Sequence, residues 1–496
     1  MTQTQAARKR SVKPFPMSLT EDLEIVRGED NNAYIVIRTQ GNPYAVAVGS
    51  GEANTIIRGE AQLAGTEVRT RQFADINDVV ASFAHSLPER TSVWHRVAPL
   101  EGGGVEIDLG DSKQTRYRVR PGAVERVSQG SENLFIRSDL STAFVEPSDI
   151  PDLERIKKYL NTEPSTRMLV IEWLIYTLGR PKVDGTKYVH LVVQGTQGSG
   201  KTVFSKNIVQ ALVDPSIAGL QMFPRDVKNL PVTLQGAHLT AFDNMRKLNV
   251  EQSDMLCAAA TRGTIIARKL YTNAEKSVIQ LHGPVLFNGI HEFVQESDLA
   301  QRCLMVRLQP IDEAQRRTDE ALMRDLAEDM PHIFAGVLHR MSLNFAKLDE
   351  AKVTHPERMI EFSKSIAASE LVDGVPPGTY QAVYSDMVAE GQLDTIMDNP
   401  LVLSVATLVD SLKGQPWTGS PTELLEALPV PFGTERSRVL PGTPIGLSKR
   451  LQTLASAFKT LGIECTWGRG RFNRTITLQG PPVKDGSLPL IGKSEF

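Results

Sequence analysis

The sequence contains the octapeptide Gly195-Thr196-Gln197-Gly198-Ser199-Gly200-Lys201-Thr202, which matches the pattern Gly-x-x-x-x-Gly-Lys-Ser/Thr. An apolar run at 188–194 precedes it, and an amphipathic segment at 203–213 follows it. A strand, a glycine-rich loop and a helix in this order form a P-loop, whose backbone N–H groups surround nucleotide phosphates. All eight residues are therefore candidate ATP-binding residues, with Lys201 directed to the β- and γ-phosphates and Thr202 a ligand of Mg²⁺. The alternative is a chance match in a glycine-containing turn.

The composition of the chain is ordinary for a soluble protein. It has 496 residues, 41% of them hydrophobic, and a net charge of −3. No apolar run approaches the roughly 18 residues of a membrane span, and the basic N-terminus lacks the apolar stretch of a signal peptide. The three cysteines, which are far apart, show neither metal-ligand spacing nor a disulfide framework. We expect a cytoplasmic protein without membrane contact, in which any DNA contact comes from a local basic patch.

The length suggests about three domains. We predict an α/β P-loop core, preceded by an α+β domain of unknown role and followed by a winged-helix domain. The N-terminal tail is expected to be disordered, with a nucleic-acid arm as the alternative. The expected divisions are a tail at 1–20, the α+β domain at 21–145, the P-loop domain at 146–345, a helical linker at 346–400, the winged helix at 401–480 and a second tail at 481–496.

Two further apolar runs in the P-loop domain end in polar side chains. The first, His238–Phe242, is followed by Asp243 and Asn244, about 40 residues after Lys201. An acid at the tip of a buried strand holds the hydrated Mg²⁺ that bridges the β- and γ-phosphates, so Asp243 is a candidate metal ligand. The second run, 284–287, ends in Asn288, whose amide is a candidate to orient the attacking water. The alternative for Asn288 is a cap of the turn before Gly289.

Arg302 precedes the strand-like run 303–308. Its guanidinium is a candidate to stabilise charge on the γ-phosphate of a neighbouring subunit. The alternatives are a surface ion pair between Arg302 and Asp298, and Arg307 as the residue with this role.

A basic segment lies between the second and third strands. Residues 261–272 place three cations among apolar residues and one tyrosine, in the manner of a hairpin-like insert. The pattern fits either a solvated face or a contact to a phosphate backbone. The candidate DNA-binding residues of this insert are Arg262, Arg268 and Lys269.

The C-terminal module has the outline of a winged helix: helices over 403–412, 421–427 and 447–461, then two strands joined by a basic turn. Residues 417–420 are interpreted as a lead into the second helix. Ser420 followed by Pro421 is a helix start signal. Residues 441–479 contain six cations and one acid, Glu464, for a local net charge of +5. We expect DNA contact here, with a protein-binding winged helix as the alternative. The candidate DNA-binding residues are Lys449, Arg450, Arg469, Arg471 and Arg474.

These motifs, in this order, resemble the superfamily 3 helicase branch of the AAA+ ATPases, and more narrowly the primase-helicase proteins of phages and mobile elements. The resemblance covers about 150–480. It implies a ring, with a hexamer expected, that moves along DNA using ATP, with Asp243 as the Walker B acid and Asn288 as sensor 1. It also implies that Arg302 reaches across subunits. The stretches that carry it are GTQGSGKT (195–202), LTAFDN (239–244), TRGTIIARKLYT (261–272), PVLFNGI (284–290) and DLAQRCLMVRL (298–308).

Two departures from the family pattern affect the predicted function. Asn244, which we count among the catalytic candidates, stands where a glutamate would supply the general base, so another carboxylate takes this role or turnover is slow. The N-terminal region has no recognisable primase site, so a separate primase or polymerase is a candidate partner. We therefore expect a helicase-like ATPase in replication. The alternative is a nucleotide-switched DNA-binding regulator with little turnover, while a small-molecule kinase does not fit the C-terminal module.

Overall fold

The computed structural model describes residues 13–38, 41–138, 140–268, 276–290, 292–312, 316–397, 399–430, 435–469 and 474–481. The chain forms two compact units. The first comprises Met1–Phe293 and Arg302–Asp386, and the second comprises Val294–Gln301 and Met387–Phe496. None of the described helices is long and apolar enough to cross a membrane.

The N-terminal part of the first unit contains helices and two sheets. Its elements are α1 (Leu19–Asp22), β1 (Glu24–Arg27), β2 (Ala33–Ile37), β3 (Tyr44–Ala47), α2 (Gly51–Leu63), a 3₁₀ turn (Thr70–Gln72), α3 (Phe73–Ser86), β4 (Val93–Trp94), β5 (Val97–Pro99), β6 (Val105–Asp108), β7 (Arg116–Arg120), β8 (Ala123–Val127) and β9 (Leu134–Ile136). One sheet has the order β1-β2-β3-β9-β4, and the other is the antiparallel meander β5-β6-β7-β8.

Helices α2 and α3 cover one face of the first of these sheets. Ile57 of α2 and Val80 of α3 share a buried apolar cluster with Ile35 and Val46 of the sheet. The Ser50 hydroxyl accepts a hydrogen bond from the N–H of Ala53 and so begins α2, a helix that the sequence analysis did not identify. The mixed α+β character predicted for this region is present.

The rest of the first unit is built around a parallel sheet. Its elements are a 3₁₀ helix (Leu153–Lys158), α4 (Pro164–Leu178), β10 (His190–Gln194), a π-helical segment (Val203–Gln210), α5 (Ala211–Val213), β11 (Gln221–Met222), a 3₁₀ turn (Val227–Asn229), α6 (Leu230–Gln235), β12 (Thr240–Met245), α7 (Val250–Ala260), β13 (Gly263–Arg268), β14 (Lys276–Leu281), β15 (Val285–Gly289), β16 (Cys303–Arg307), α9 (Asp319–Lys347), α10 (Ile360–Asp373) and α11 (Thr379–Met397).

The parallel sheet has the strand order β11-β12-β15-β10-β16. All of its pairings are parallel. Every residue of β10 and β15 is buried, which explains why these strands appear in the sequence as nearly continuous apolar runs. The carboxyl ends of β12, β15, β10 and β16 therefore lie along one edge of the sheet.

Helix α9 is fastened to the segment before α4 by a carboxylate. Asp329 accepts hydrogen bonds from Arg155 Nη1 at 2.9 Å, Lys158 Nζ at 2.9 Å and Tyr159 Oη at 2.8 Å. The segment that we predicted as a helical linker contributes α10, whose Ser365 and Ser369 hydroxyls donate to buried Glu172 of α4. Burial raises the pKa of Glu172 against the opposing effect of these donors.

Asp214 joins the N-terminal part of this unit to the parallel sheet. Its Oδ1 accepts from Arg96 Nε at 2.7 Å, and its Oδ2 accepts from the N–H groups of His238 and Leu239 at 2.7 and 3.1 Å. Both side chains of the ion pair are about 95% buried. Burial acts to raise the pKa of Asp214, but the Arg96 guanidinium outweighs it, and the pKa is lowered.

The second unit consists mainly of helices and a small sheet. Its elements are α8 (Ser297–Ala300), α12 (Pro400–Ser411), β17 (Trp417–Gly419), α13 (Pro421–Ala427), α14 (Arg436–Val439), α15 (Pro444–Thr453), α16 (Ala455–Thr460), β18 (Glu464–Arg469) and β19 (Arg474–Gln479). The strands form an antiparallel sheet of order β17-β19-β18. Leu401, Leu447 and Ile476 belong to its apolar core.

Two details of this unit differ from the sequence prediction. The stretch at 417–419, which we interpreted as a lead into a helix, is a third strand that pairs with β19. The helix predicted over 447–461 is divided into α15 and α16 at Leu454. By contrast, α13 begins where we predicted, because Ser420 and Glu423 form a reciprocal capping box.

Replacement of Asp214 by alanine tests the junction between Arg96 and the parallel sheet. The change leaves a buried guanidinium unpaired and removes the acceptor of two N–H groups, so we expect a loss of about 3–5 kcal/mol in the free energy of unfolding. Glu24→Ala, which breaks an exposed ion pair with Arg38, is the control and should cost less than about 1 kcal/mol. Urea denaturation measures both, and equal losses would contradict the assigned role.

The same ion pair gives a pH dependence with a defined sign. Because folding lowers the pKa of Asp214, its stabilising contribution is present above the unfolded pKa of about 3.9. The contribution is lost as the pH falls through the folded-state pKa.

Candidate functional site

The glycine loop, Gly195–Thr202, connects β10 to the helical segment at 203–213. Gly198 and Gly200 have φ angles of +81° and +84°, which disfavour residues with a side chain. A Cβ on Gly195 would lie 2.6 Å from Ser199 Oγ and 3.1 Å from the carbonyl oxygen of Leu308. The loop thus needs glycine for two reasons, backbone conformation and the close approach of neighbouring atoms.

Lys201 lies at the mouth of this loop. Its Nζ donates to the carbonyl oxygens of Gly195 at 2.8 Å and Thr196 at 2.7 Å. Burial lowers the pKa of Lys201, and the charge of Asp243 acts in the opposite direction. The Asp243 carboxylate is therefore within electrostatic range of Lys201, as expected for two groups that serve one phosphate site.

Asp243 lies at an irregular point near the end of β12. We predicted Asp243 at the tip of the strand, but the strand continues to Met245 through a register shift between Phe242 and Met245. Asn244 adopts a φ of +55° there. Its N–H donates to Asp243 Oδ1 at 2.7 Å and to Asn288 Oδ1 at 3.1 Å. The bulge thus links the candidate metal ligand to the candidate water-orienting amide.

Asn288 lies on β15, the strand between β10 and β12. It is only 2% exposed. Since its Oδ1 accepts the Asn244 N–H, the amide orientation is set and Nδ2 is left as a donor. Nδ2 has no hydrogen-bond partner among the described residues. A buried donor of this kind at the edge of the sheet is suited to bind a water molecule or a phosphate oxygen.

The two candidate arginines lie at opposite edges of the sheet. The carbonyl oxygen of Arg302 accepts from the N–H of His190, where β10 begins, whereas Arg307 is paired with Gln194, where β10 ends. A five-residue strand extends over about 13 Å, so Arg302 is directed away from the glycine loop of its own chain.

The exposed fraction of these arginines also differs. Arg302 is only 8% exposed. Its charge adds to the effect of burial, which lowers the pKa of His190 to about 4. The exposed Arg307 donates from Nη2 to Glu292 Oε1 at 3.2 Å. The role of Arg302 toward a neighbouring subunit stays a prediction.

Two residues near the loop were missed by the sequence analysis. Glu292 follows β15 and pairs with Arg307 at the carboxyl edge of the sheet. Arg316 Nη2 lies 3.8 Å from the position that a Cβ on Gly198 would occupy. No sequence motif identifies either residue, because the position of each depends on tertiary contacts. Adjacent arginines at 316–317 were the available signal.

The insert after α7 is a hairpin, as its sequence suggested. Strands β13 and β14 pair antiparallel from Gly263↔Leu281 to Arg268↔Lys276. Arg262 lies at its base, where it pairs with Asp184 at 3.1 Å and donates to Gln280 Oε1. These contacts give Arg262 a structural role. Lys269 lies outside the described residues, and the DNA contacts predicted for the insert stay predictions.

The predicted DNA-binding cations of the second unit lie on two elements. Lys449 and Arg450 are exposed on α15, together with Ile445, which is 73% exposed. Arg469 and Arg474 are paired residues at the ends of β18 and β19. Arg471, which lies between these strands in the sequence, is outside the described residues. The arrangement gives one basic helix and one basic hairpin end.

The residues present fit a nucleotide with Mg²⁺. The Thr202 hydroxyl and the Asp243 carboxylate provide oxygen ligands, which Mg²⁺ prefers. The cradle around Gly195, which a Cβ would fill, allows close approach of phosphate to the backbone. Thr202 is exposed at the start of the helix, and Asp243 is partly exposed.

The chain matches two family models. Residues 150–389 match the replication protein of actinomycete integrative conjugative elements, AICE RepA. Residues 402–487 match the C-terminal domain of AICE RepA. Both matches are to replication proteins of a mobile element, and this similarity agrees with that part of the predicted resemblance. None of the curated proteins matches the chain in sequence.

Solved structures show a weaker likeness. The apo C-terminal region of NrS-1 (305–718) is 13% identical with a TM-score of 0.39, and the match covers 93% of this chain and 98% of that one. A JCV helicase with a bound thiazolopyridine compound is 14% identical with a TM-score of 0.21, and the match covers 47% of this chain and 67% of that one.

Replacement of Gly195 by alanine tests the cradle. Because the added Cβ meets Ser199 Oγ and the Leu308 carbonyl oxygen, we expect the Kd for Mg·ATP to rise at least about tenfold, or about 1.4 kcal/mol. Gly59→Ala is the matched control: nothing lies within 4 Å of its Cβ position in α2, and it should leave nucleotide binding unchanged. Calorimetric titration that gives equal Kd values for both variants would contradict this interpretation.

Proposed function

Since the chain matches replication proteins of integrative conjugative elements, we propose that it is an ATP-driven, helicase-like DNA motor in the replication of such an element. ATP would bind at the glycine loop with Mg²⁺, between adjoining subunits of a ring. Hydrolysis would drive movement along single-stranded or forked DNA held by the second unit and the hairpin.

The observation that carries this proposal is the row of polar groups along one sheet edge. Lys201, Asp243 and Asn288 come from three neighbouring strands or their continuations, and the Asn244 N–H connects the last two. A domain that binds a nucleotide without hydrolysing it needs only a cradle for the phosphates. The additional buried amide with an unused donor supports hydrolysis as well, because it is suited to position a water molecule.

The residues divide the hydrolytic task among them. The loop N–H groups and Lys201 would bind the phosphates, while Thr202 and Asp243 would hold Mg²⁺. The bound Mg²⁺ supplies neutralisation of charge that develops on the β- and γ-phosphate oxygens. Asn288 Nδ2 would donate to the attacking water and fix its position.

Hydrolysis also requires a general base that accepts a proton. Asn244, which we counted among the catalytic candidates, is a neutral amide and cannot accept the proton. Its contribution is the backbone N–H, which donates to Asn288 Oδ1 and so sets the orientation of the Asn288 amide. Glu292, at the carboxyl edge beside β10, is the carboxylate that we propose instead, with Arg307 holding it in place.

Arg302 lies at the amino edge of the sheet, which supports a role toward another subunit's ATP. A residue at the amino edge is too far from the glycine loop of its own chain, so a ring of subunits would be required for a complete site. This part of the proposal requires that Arg302, buried in the single chain, becomes accessible in the assembly.

The second unit supports a grip on DNA through α15 and the β18–β19 hairpin. The order of its helices and three strands is typical of a winged helix, in which a basic helix and a basic hairpin contact phosphates. The exposed Lys449 and Arg450 provide such a helix.

One observation favours a second candidate, a nucleotide-switched DNA-binding regulator. Without a carboxylate at Asn244, turnover could be slow enough that ATP binding itself is the signal. An assay on forked DNA distinguishes the two candidates. The motor would displace a strand, whereas the regulator would retain DNA in the presence of ATP without displacing a strand. The ATPase rate with and without single-stranded DNA, together with the mass in solution with ATP, tests the motor directly.

A mixing experiment tests the role of Arg302. We expect Lys201→Ala and Arg302→Ala each to lower the ATPase rate about a thousandfold or more. A mixture of the two variants should regain activity, because some interfaces then combine an intact loop with an intact arginine from the neighbour.

Arg307→Ala is the matched control for this mixture. Arg307 lies at the same sheet edge as the loop of its own chain, so Arg307→Ala mixed with Lys201→Ala should not regain activity. Recovery with Arg307→Ala and none with Arg302→Ala would reverse the assignment.

The double variant Lys449→Ala/Arg450→Ala tests the DNA grip. Loss of two phosphate contacts should weaken DNA binding and lower the slope of log K against log salt by about 1.5–2. Lys413→Ala is the control, since Gly414 next to it contacts Gln479 at the sheet end far from the basic turn. Fluorescence anisotropy at several salt concentrations measures both, and an unchanged slope in the double variant would argue against this DNA surface.

A further inference from the structure

The segment that follows β16 returns over the glycine loop. Ile311 Cδ1 lies 3.6 Å from the position that a Cβ on Gly200 would occupy. Arg316 Nη2 lies 3.8 Å from the corresponding position at Gly198. A guanidinium from the same chain thus lies in van der Waals range of the middle of the loop.

Contacts on both sides of this segment set its course. Before it, the Gln309 N–H donates to the Asn161 carbonyl oxygen at 3.0 Å. The Asn161 amide in turn donates to the carbonyl oxygens of Gln309 at 2.6 Å and Ser199 at 3.4 Å. Ser199 is itself a loop residue. The approach of the segment to the loop therefore follows from specific hydrogen bonds.

The start of α9 fixes the other side. Arg317 pairs with Asp325 of α9, and Asn207 of the helix after the loop donates to Met323 Sδ at 3.4 Å. Helix α9 and the helix that follows the loop are thus in contact.

The surroundings of Arg316 differ from those of the arginines nearby. Arg317 is paired with Asp325 and Arg307 with Glu292, whereas no carboxylate among the described residues pairs with Arg316. Its side chain is exposed. A guanidinium without an acid partner, beside a loop whose N–H groups suit phosphate, is placed to bind an anion.

We propose that Arg316 is a phosphate-binding residue of the subunit that holds the nucleotide, and that it contacts the γ-phosphate of ATP. The backbone N–H groups of the loop serve the α- and β-phosphates, which leaves the terminal oxygens for side chains that approach from outside the loop. This inference rests on the proposed ATP binding. It gives the site a same-subunit arginine in addition to the one expected from a neighbour.

Binding of two nucleotides to the full-length chain tests the inference. Calorimetric titration with Mg·AMP-PNP and Mg·ADP is compared for the unaltered protein and for Arg316→Ala, Arg316→Lys and Arg317→Ala. We expect Arg316→Ala to weaken Mg·AMP-PNP binding about 10- to 100-fold and Mg·ADP binding less than about threefold. Arg316→Lys keeps the charge and should give an intermediate loss of AMP-PNP affinity.

Arg317→Ala is the matched control, because it removes a neighbouring arginine whose ion pair with Asp325 is partly exposed. It should change both affinities less than about threefold. Equal AMP-PNP affinity of Arg316→Ala and the unaltered protein would overturn the inference, and so would an equal loss for both nucleotides. If the unaltered protein binds neither nucleotide, the proposed function fails instead. Unchanged thermal unfolding of the variants shows that their folds are intact.

Discussion

The site depends on a constraint of parallel β-structure: strands that run in the same direction end at the same edge. β12, β15 and β10 are neighbours in the sheet, so Asp243, Asn288 and the glycine loop are brought to that edge although they are far apart in sequence. The same constraint separates Arg302 from Arg307, since one precedes β16 and the other ends it. Strand direction alone therefore places the candidate site at one edge of the sheet and Arg302 at the opposite edge.

The sequence was a good guide where local patterns determine structure. The apolar runs of β10 and β15, the helix start at Ser420 and the hairpin after α7 are set by burial, capping and alternation, and all were predicted. The bulge at Asn244 was not, because it arises from pairing with β15 and the acceptor on Asn288. Strand β17 was missed for a similar reason, since its three residues are stabilised by pairing with β19.

Long-range contacts also account for the site residues that the sequence did not reveal. Glu292 becomes a candidate only through its ion pair with Arg307 at the end of β16, and Arg316 only through its approach to Gly198. Their positions depend on Arg307, Asn161 and the start of α9, none of which a motif specifies. The sequence thus reveals the glycine-loop motif, whereas the positions of the groups that complete the candidate site depend on tertiary structure.

The ion pair between Arg96 and Asp214 has a consequence for attempts to divide the chain. A fragment that begins near residue 146 would keep Asp214 and lose the guanidinium that compensates its buried charge. The part of the chain that contains the glycine loop therefore depends on the N-terminal region, even though its motifs start well after residue 146. Excision of the N-terminal region would require a neutral replacement such as asparagine at position 214, which could still accept from the N–H groups of His238 and Leu239 just before β12.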